Sequence, residues 1–179
     1  MKQGGLIAHH TGTLSGIAAV PTHARAVKRL CRFKQRRGPF LLLADSQKTV
    51  NRLCTRLPSG LRRSMHQLWP GPATFIVPSF KATGGLNPAC FTGRSVAVRV
   101  DADIACRYLA KLCGGLLISS SLNRKSNPVQ QPDRRLRMRW HRHLAGNLGF
   151  GGGRGSASCL LKWQGSTLAV LRGAIPATE

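Results

Sequence analysis

Apolar segments of two lengths alternate along this chain, and that alternation constrains its fold more than any single motif does. Short runs at residues 4–8, 40–44, 73–77 and 115–119 have strand length. Ser95–Val100 alternates residue by residue, as a strand with one buried face does. Between these runs, apolar residues recur every three or four positions, the helical period: Ala24, Val27, Leu30 and Cys31; then Val50, Leu53, Cys54 and Leu57; then Ile104, Tyr108, Leu109 and Leu112. Pro21-Thr22 opens the first of these helices, Ser46 caps the second, Ser59 caps a further one ending near Leu68, and Asp101 or Asp103 starts the last. Trp69-Pro70-Gly71-Pro72 breaks the chain between a helix and a strand. Residues 9–15 read as a polar loop, residues 124–155 as mostly irregular, and two strands, at 158–163 and Thr167–Arg172, close the chain. Strands and helices in this order predict an α/β sheet, where ligands sit in a crevice beyond strand ends.

Charge is the second constraint. Lys and Arg number 28, against five acids, Asp45, Asp101, Asp103, Asp133 and Glu179, for a net charge of +23. A surface so basic attracts polyanions: nucleotides, tRNA, double-stranded RNA or anionic lipid. At 179 residues the chain buries a core without disulfides or metal, as one domain spanning residues 1–179. Its six cysteines form no CxxC pair and nothing at the start reads as a secretory signal, so reduced thiols and a cytoplasmic protein are expected. No apolar run approaches the roughly 20 residues of a membrane span.

Four polar segments fall at ends of these elements. Lys34 and Arg36 alternate just past the first helix, so an extended segment would turn both toward one crevice; taken alone they read first as solvated charges. Arg99 opposes Val98 and Val100 in parity, which aims it either into a cleft, where it could take a carboxylate in bidentate fashion, or outward to solvent. Ser119, Ser121 and Asn123 share parity, aligning two hydroxyls and an amide for phosphate oxygens or a base edge; a plain turn has the same composition. His9-His10 and His141-Arg142-His143 lack partners at ligand spacing, so no metal site is expected.

Taken together, Lys34-Gln35-Arg36, the segment from Trp69 to Phe75, Ser95–Val100 and the segment from Ser119 to Asn123 resemble the YrdC-like threonylcarbamoyl-AMP synthase family. The resemblance covers nearly the whole chain and implies a single-domain YrdC-like fold, a twisted mixed sheet flanked by helices with a concave cationic cleft. It implies synthesis of L-threonylcarbamoyladenylate and pyrophosphate from L-threonine, bicarbonate and ATP, with Mg²⁺ carried by ATP, for a tRNA modification completed by a partner transferase machinery. By motif, Lys34 and Arg36 would be catalytic and, with Ser121, Asn123 and Arg154, would bind ATP. Thr11, Arg99, Ser119 and Ser158 would bind threonine. The chain departs from the family in its first loop, usually written PTET, where His10 and Gly12 replace proline and glutamate. The alternative is a relative that has lost efficient catalysis and binds tRNA or double-stranded RNA directly.

Overall fold

The computed structural model describes residues 1, 3–54, 57–78, 85–122, 144–149 and 153–177. Ten strands form one sheet: β1 (Leu6–His9), β2 (Gly16–Ala19), β3 (Leu41–Ala44), β4 (Ala73–Pro78), β5 (Phe91–Thr92), β6 (Ser95–Val100), β7 (Leu116–Ser121), β8 (Leu144–Asn147), β9 (Cys159–Gln164) and β10 (Thr167–Arg172). Their order is β10-β9-β4-β6-β3-β7-β2-β1-β8, with the short β5 paired to β6 off this path. Pairing is mixed: β3 runs parallel to β6, β4 to β9 and β1 to β8, while the other neighbours are antiparallel. Among the described residues, four α-helices, α1 (Ala24–Lys34), α2 (Gln47–Leu53), α3 (Ser59–Leu68) and α4 (Ile104–Leu112), flank it.

Register divides the sheet into two unlike faces. Leu42 pairs with Val98 and with Ile118, and Phe75 with Val98; these side chains share one core with Val27 and Leu30 of α1, Val50 of α2, and Leu61 and Met65 of α3. The next residue along each strand faces the other way. There Leu43 pairs with Leu117 and Arg99, and Ser119 pairs with Leu41 and Ala18. α4 covers the apolar part of this second face, packing Cys106, Leu109 and Ala110 on Ala18, Leu43 and Leu117. The end of this face that α4 leaves open carries Arg99 and Ser119, with Leu41 beside them.

Several boundaries differ from the sequence reading. α1 starts at Ala24, with His23 as its cap, and Ser59 is the first residue of α3, whose cap is Pro58. Residues 16–19, unassigned in the sequence, form β2 and make the polar stretch before them a hairpin loop. The stretch expected to be irregular contains β8. Of the residues whose spacing predicted α4, Ile104, Tyr108 and Leu112 are 75%, 60% and 61% exposed, and Leu109 is buried. α4 is apolar on two sides, and its smaller residues are the ones that fit against the sheet. The Trp69-Pro70 turn is structural: Trp69 Nε1 donates to the Ala73 carbonyl at 2.6 Å and its ring meets Phe75 edge-on, with centroids 5.2 Å apart.

Candidate active site

A cavity of about 170 Å³ opens where β7 ends and β2 and β3 begin, roofed by the hairpin loop between β1 and β2. Thr11, Thr13, Arg36, Arg99, Ser119, Ser120, Ser121, Ser158 and Arg172 line it. Residues far apart in sequence meet here because the register of β6 and β7 puts Arg99 and Ser119 on the face that α4 leaves open.

Arg99 is 2% exposed, and two partners define its setting. Nη2 lies 2.5 Å from Asp101 Oδ2 in a fully buried ion pair, and Nη1 donates to Thr13 Oγ1 at 2.7 Å. Burial pulls the guanidinium's pKa down and Asp101 pulls it back up. Asp101 Oδ1 accepts the N–H of Gly12 at 2.7 Å and of Asp103 at 2.9 Å. One carboxylate thus joins the arginine, the hairpin loop and the start of α4, whose cap is Asp103. Arg99 Nε is buried without a partner among the described residues.

The loop is ordered by its own hydroxyls. Thr11 Oγ1 donates to the Leu14 carbonyl at 2.9 Å and accepts the N–H groups of Thr13 and Leu14, each at 3.1 Å. Because that carbonyl takes the Thr11 proton, the 3.0 Å contact between the two threonine hydroxyls is donated by Thr13. Donation runs from Arg99 to Thr13, from Thr13 to Thr11, and from Thr11 to the Leu14 carbonyl. Thr11, singled out from the sequence as a substrate contact, lines the cavity while its hydroxyl organises the loop. Gly153, at φ +87, lets residues 153–155 lie on this loop: the N–H groups of Arg154 and Gly155 donate to the Gly12 and Thr13 carbonyls, and a Cβ at 153 would sit 2.5 Å from the Thr11 oxygen. Arg154 meets the site through its backbone, and its side chain is exposed.

Lys34 and Arg36 reach the same corner by a route the sequence did not suggest. Lys34 is the last residue of α1 and continues the buried stripe of Ala26 and Leu30, so the helical period, and not a strand, turns it inward. Gln35 then adopts a left-handed cap at φ 53, which stops the helix and redirects Arg36. Lys34 Nζ donates to the Ser121 carbonyl at 2.5 Å; Arg36 Nη2 lies 3.5 Å from Ser120 Oγ and its guanidinium stacks 4.5 Å from the Phe40 ring centre. Burial, with Arg36 nearby, pulls the Lys34 pKa down from 10.5 to about 8. Burial likewise lowers that of Arg36.

Ser158 shares a 2.8 Å hydrogen bond with Thr74, and its carbonyl accepts Arg172 Nη2 at 3.0 Å. Arg172 and Thr13 were missed in the sequence, Arg172 because nothing marks the last residue of a closing strand as a cavity residue, and His9 was weighed there only as a metal ligand. Asn123, His141 and His143 lie outside the described residues. Among the described residues, no group of three or more His, Cys, Asp or Glu converges as a metal site, and no helix is long and apolar enough to cross a membrane.

Comparisons with known proteins bear on the family and the fold. A family model for Sua5, YciO and YrdC proteins, described as telomere recombination, matches residues 1–174. A threonylcarbamoyl-AMP synthase from Methylobacillus flagellatus is 34% identical over 128 residues, which cover 69% of this chain and 68% of that protein. Another, from Chromobacterium violaceum, is 31% identical over 143 residues, 77% of this chain and 72% of the relative. In fold, the chain is similar to P. abyssi Sua5 complexed with L-threonine, with a TM-score of 0.82 at 22% identity; the match covers 96% of this chain and 51% of that one, so the chain spans about half its length. It is similar also to E. coli YciO, with a TM-score of 0.81 at 19% identity over 96% of this chain and 84% of that one.

Proposed function

Because the chain belongs to the Sua5/YciO/YrdC family, we infer that it is a threonylcarbamoyl-AMP synthase, the activity for which its curated relatives are named. The observation that carries the reading is the cavity itself. It brings a fixed, ion-paired arginine, Arg99, into one lining with Arg36, Arg172 and the hydroxyls of Ser119, Ser120 and Ser121, and Lys34 bonds the carbonyl of Ser121.

The reaction needs no nucleophilic side chain. The amine of threonine adds to the carbon of bicarbonate with loss of water, and the resulting carbamate oxygen attacks the α-phosphorus of ATP. The bond to the β-phosphate oxygen breaks and pyrophosphate leaves. The protein's task is to hold anions in line. Arg99 takes the threonine carboxylate; its position is set by Asp101 and Thr13, and its Nε has no partner among the described residues. Lys34 and Arg36 take carbamate and phosphate oxygens, with Ser121, Asn123, Arg154 and Arg172 along the nucleotide. Ser119 and Ser158 bound the threonine side, and Thr11 shapes the loop above it.

Mg²⁺ enters as part of the MgATP substrate. Asp101, the carboxylate beside Arg99, is already shared between that arginine and two backbone N–H groups, so it does not serve as a resident metal ligand. The product passes to the transferase machinery that modifies tRNA. An RNA-binding module without catalysis is not favoured, since the matched relatives are named as synthases.

The test is mass spectrometry of a reaction containing the protein, MgATP, bicarbonate and L-threonine. The threonylcarbamoyl adenylate should appear and should require all three substrates. ATP left intact by a folded protein would contradict the reading.

A further inference from the structure

Two adjacent histidines lead into the loop over the cavity, and the fold uses them differently. His9 ends β1 and is buried; its Nδ1 donates to the His10 carbonyl at 3.0 Å, and burial pulls its pKa down to about 4. His10 turns to the rim. Its Nδ1 lies 3.2 Å from the Leu148 carbonyl oxygen, just past β8, and its Nε2 lies 3.0 Å from Asp103 Oδ2. A carbonyl and a carboxylate oxygen both accept, so each ring nitrogen presents an N–H, and the ring that makes both bonds is the doubly protonated one.

These contacts close a ring around the roof of the cavity. Asp103 is tied in twice: its side chain meets His10, and its backbone N–H donates at 2.9 Å to Asp101 Oδ1, the oxygen that also accepts the N–H of Gly12 at 2.7 Å. The loop is thus fastened to the start of α4 at both His10 and Gly12. On the other side, the Leu148 N–H donates to the Ala8 carbonyl at 2.9 Å, which fixes the residue whose carbonyl His10 uses. Inside the ring, Thr13 accepts from Arg99, so a shift of the loop is a shift of the arginine's support. The two oxygens of Asp103 have separate duties: Oδ1 caps α4 through the Cys106 N–H at 2.8 Å, and Oδ2 faces His10.

We propose that His10 is a positioning residue for the reaction: donating to Asp103 on one side and to the Leu148 carbonyl on the other, it fastens the loop and, through Thr13, holds Arg99 where it receives the threonine carboxylate. The proposal rests on the synthase reading and deepens it. It belongs to this chain and not to the family motif, because His10 stands where the family's first loop carries proline, whose side chain donates nothing.

The test measures binding of L-threonine and of MgATP to the full chain by calorimetry, with the KM for each. The His10 and Asp103 side chains are 29% and 20% exposed, so the effect should be modest. His10→Phe, which keeps a ring and removes both donors, should weaken threonine and raise its KM by roughly three- to tenfold, the range of two partly exposed hydrogen bonds, with little change for MgATP. Asp103→Asn keeps the capping oxygen and turns an amide donor toward His10 Nε2, so it should reproduce most of that loss. The double variant should be no worse than His10→Phe alone, since both remove one contact. His10→Arg should restore threonine binding, because a guanidinium also donates in several directions, whereas a ring needed only for packing would not be replaced by it. Asp103→Asn carries the test if His10→Phe fails to fold. Threonine affinity unchanged in the folded variants, a loss shared equally by MgATP, additive losses in the double variant, or no restoration by His10→Arg would overturn the proposal. A folded wild type that binds no threonine would instead overturn the synthase reading beneath it.

Discussion

The two faces of one sheet do different work, and adjacent residues show it. On β7, Ile118 belongs to the closed apolar core under α1, α2 and α3, while Ser119 lines the cavity on the face that α4 only partly covers. On β6, Val98 and Arg99 divide in the same way. Where helices cover the face completely, the strand residues are apolar and supply the burial that holds the fold. Where coverage stops, the same period-two geometry delivers polar side chains into a shielded space, and they must satisfy one another there. The lesson is that the site is the unpaved end of a packed face, ordered by hydrogen bonds where the other face is ordered by contact.

The sharpest way to break the comparison is to remove a partner from the polar end. Asp101→Ala leaves Arg99 buried without its carboxylate and frees the N–H groups of Gly12 and Asp103. A loss of about 3–5 kcal/mol is expected from such an uncompensated charge. For a chain of this size that is a fall in Tm on the order of 10 °C in a thermal melt. A melt unchanged within a degree would mean that the pair does not order this end of the sheet.

A change at Lys34 separates chemistry from packing. Lys34→Met keeps the length of the stem beneath Leu30 and removes the cation, so turnover should fall by about 10²–10³ with the melt nearly unmoved. Its pH behaviour tests the same point. The unfolded chain keeps this lysine's proton up to about 10.5, while the folded chain releases it near 8. Between those values the unfolded state binds more protons, so stability should rise with pH across that window. Below about 8 both states are protonated and the cost of burying the charge is constant. Turnover should decline over the same window as the phosphate-holding charge is lost. Denaturant titrations and rate profiles of the wild type and Lys34→Met, run from neutral pH to 10.5, should differ in both respects.

These residues also show what was legible in the sequence. The alternation in Ser95–Val100 gave the parity of Arg99 directly, because a strand's period needs no partner to be read. The route of Lys34 was misread as extended because the left-handed turn at Gln35, which ends α1, carries no glycine to announce it. Asp101 looked like a helix cap, and its role as the joint between Arg99 and the hairpin loop depends on contacts across 89 residues of chain that no local pattern records. Arg172 was silent for the same reason. α4 was legible as a helix but its buried side was not, because both of its sides are apolar and only the closeness of Ala18, Leu43 and Leu117 selects Cys106, Leu109 and Ala110.

That last point yields the smallest expected effect. Leu109→Ala should cost about 2–5 kcal/mol because it opens a cavity under α4. Leu112→Ala, on the exposed side, should change stability by no more than about 0.5 kcal/mol. Equal effects in paired denaturant titrations would mean that α4 is rotated relative to the sheet.

The measurement that bears most directly on the central claim is pyrophosphate release by the wild-type chain supplied with MgATP and bicarbonate, with and without L-threonine. Release that depends on threonine, and that is lost in Lys34→Met while the melt is kept, is the result this account expects. A cooperatively folded wild type that releases no pyrophosphate, or releases it equally without threonine, would contradict it.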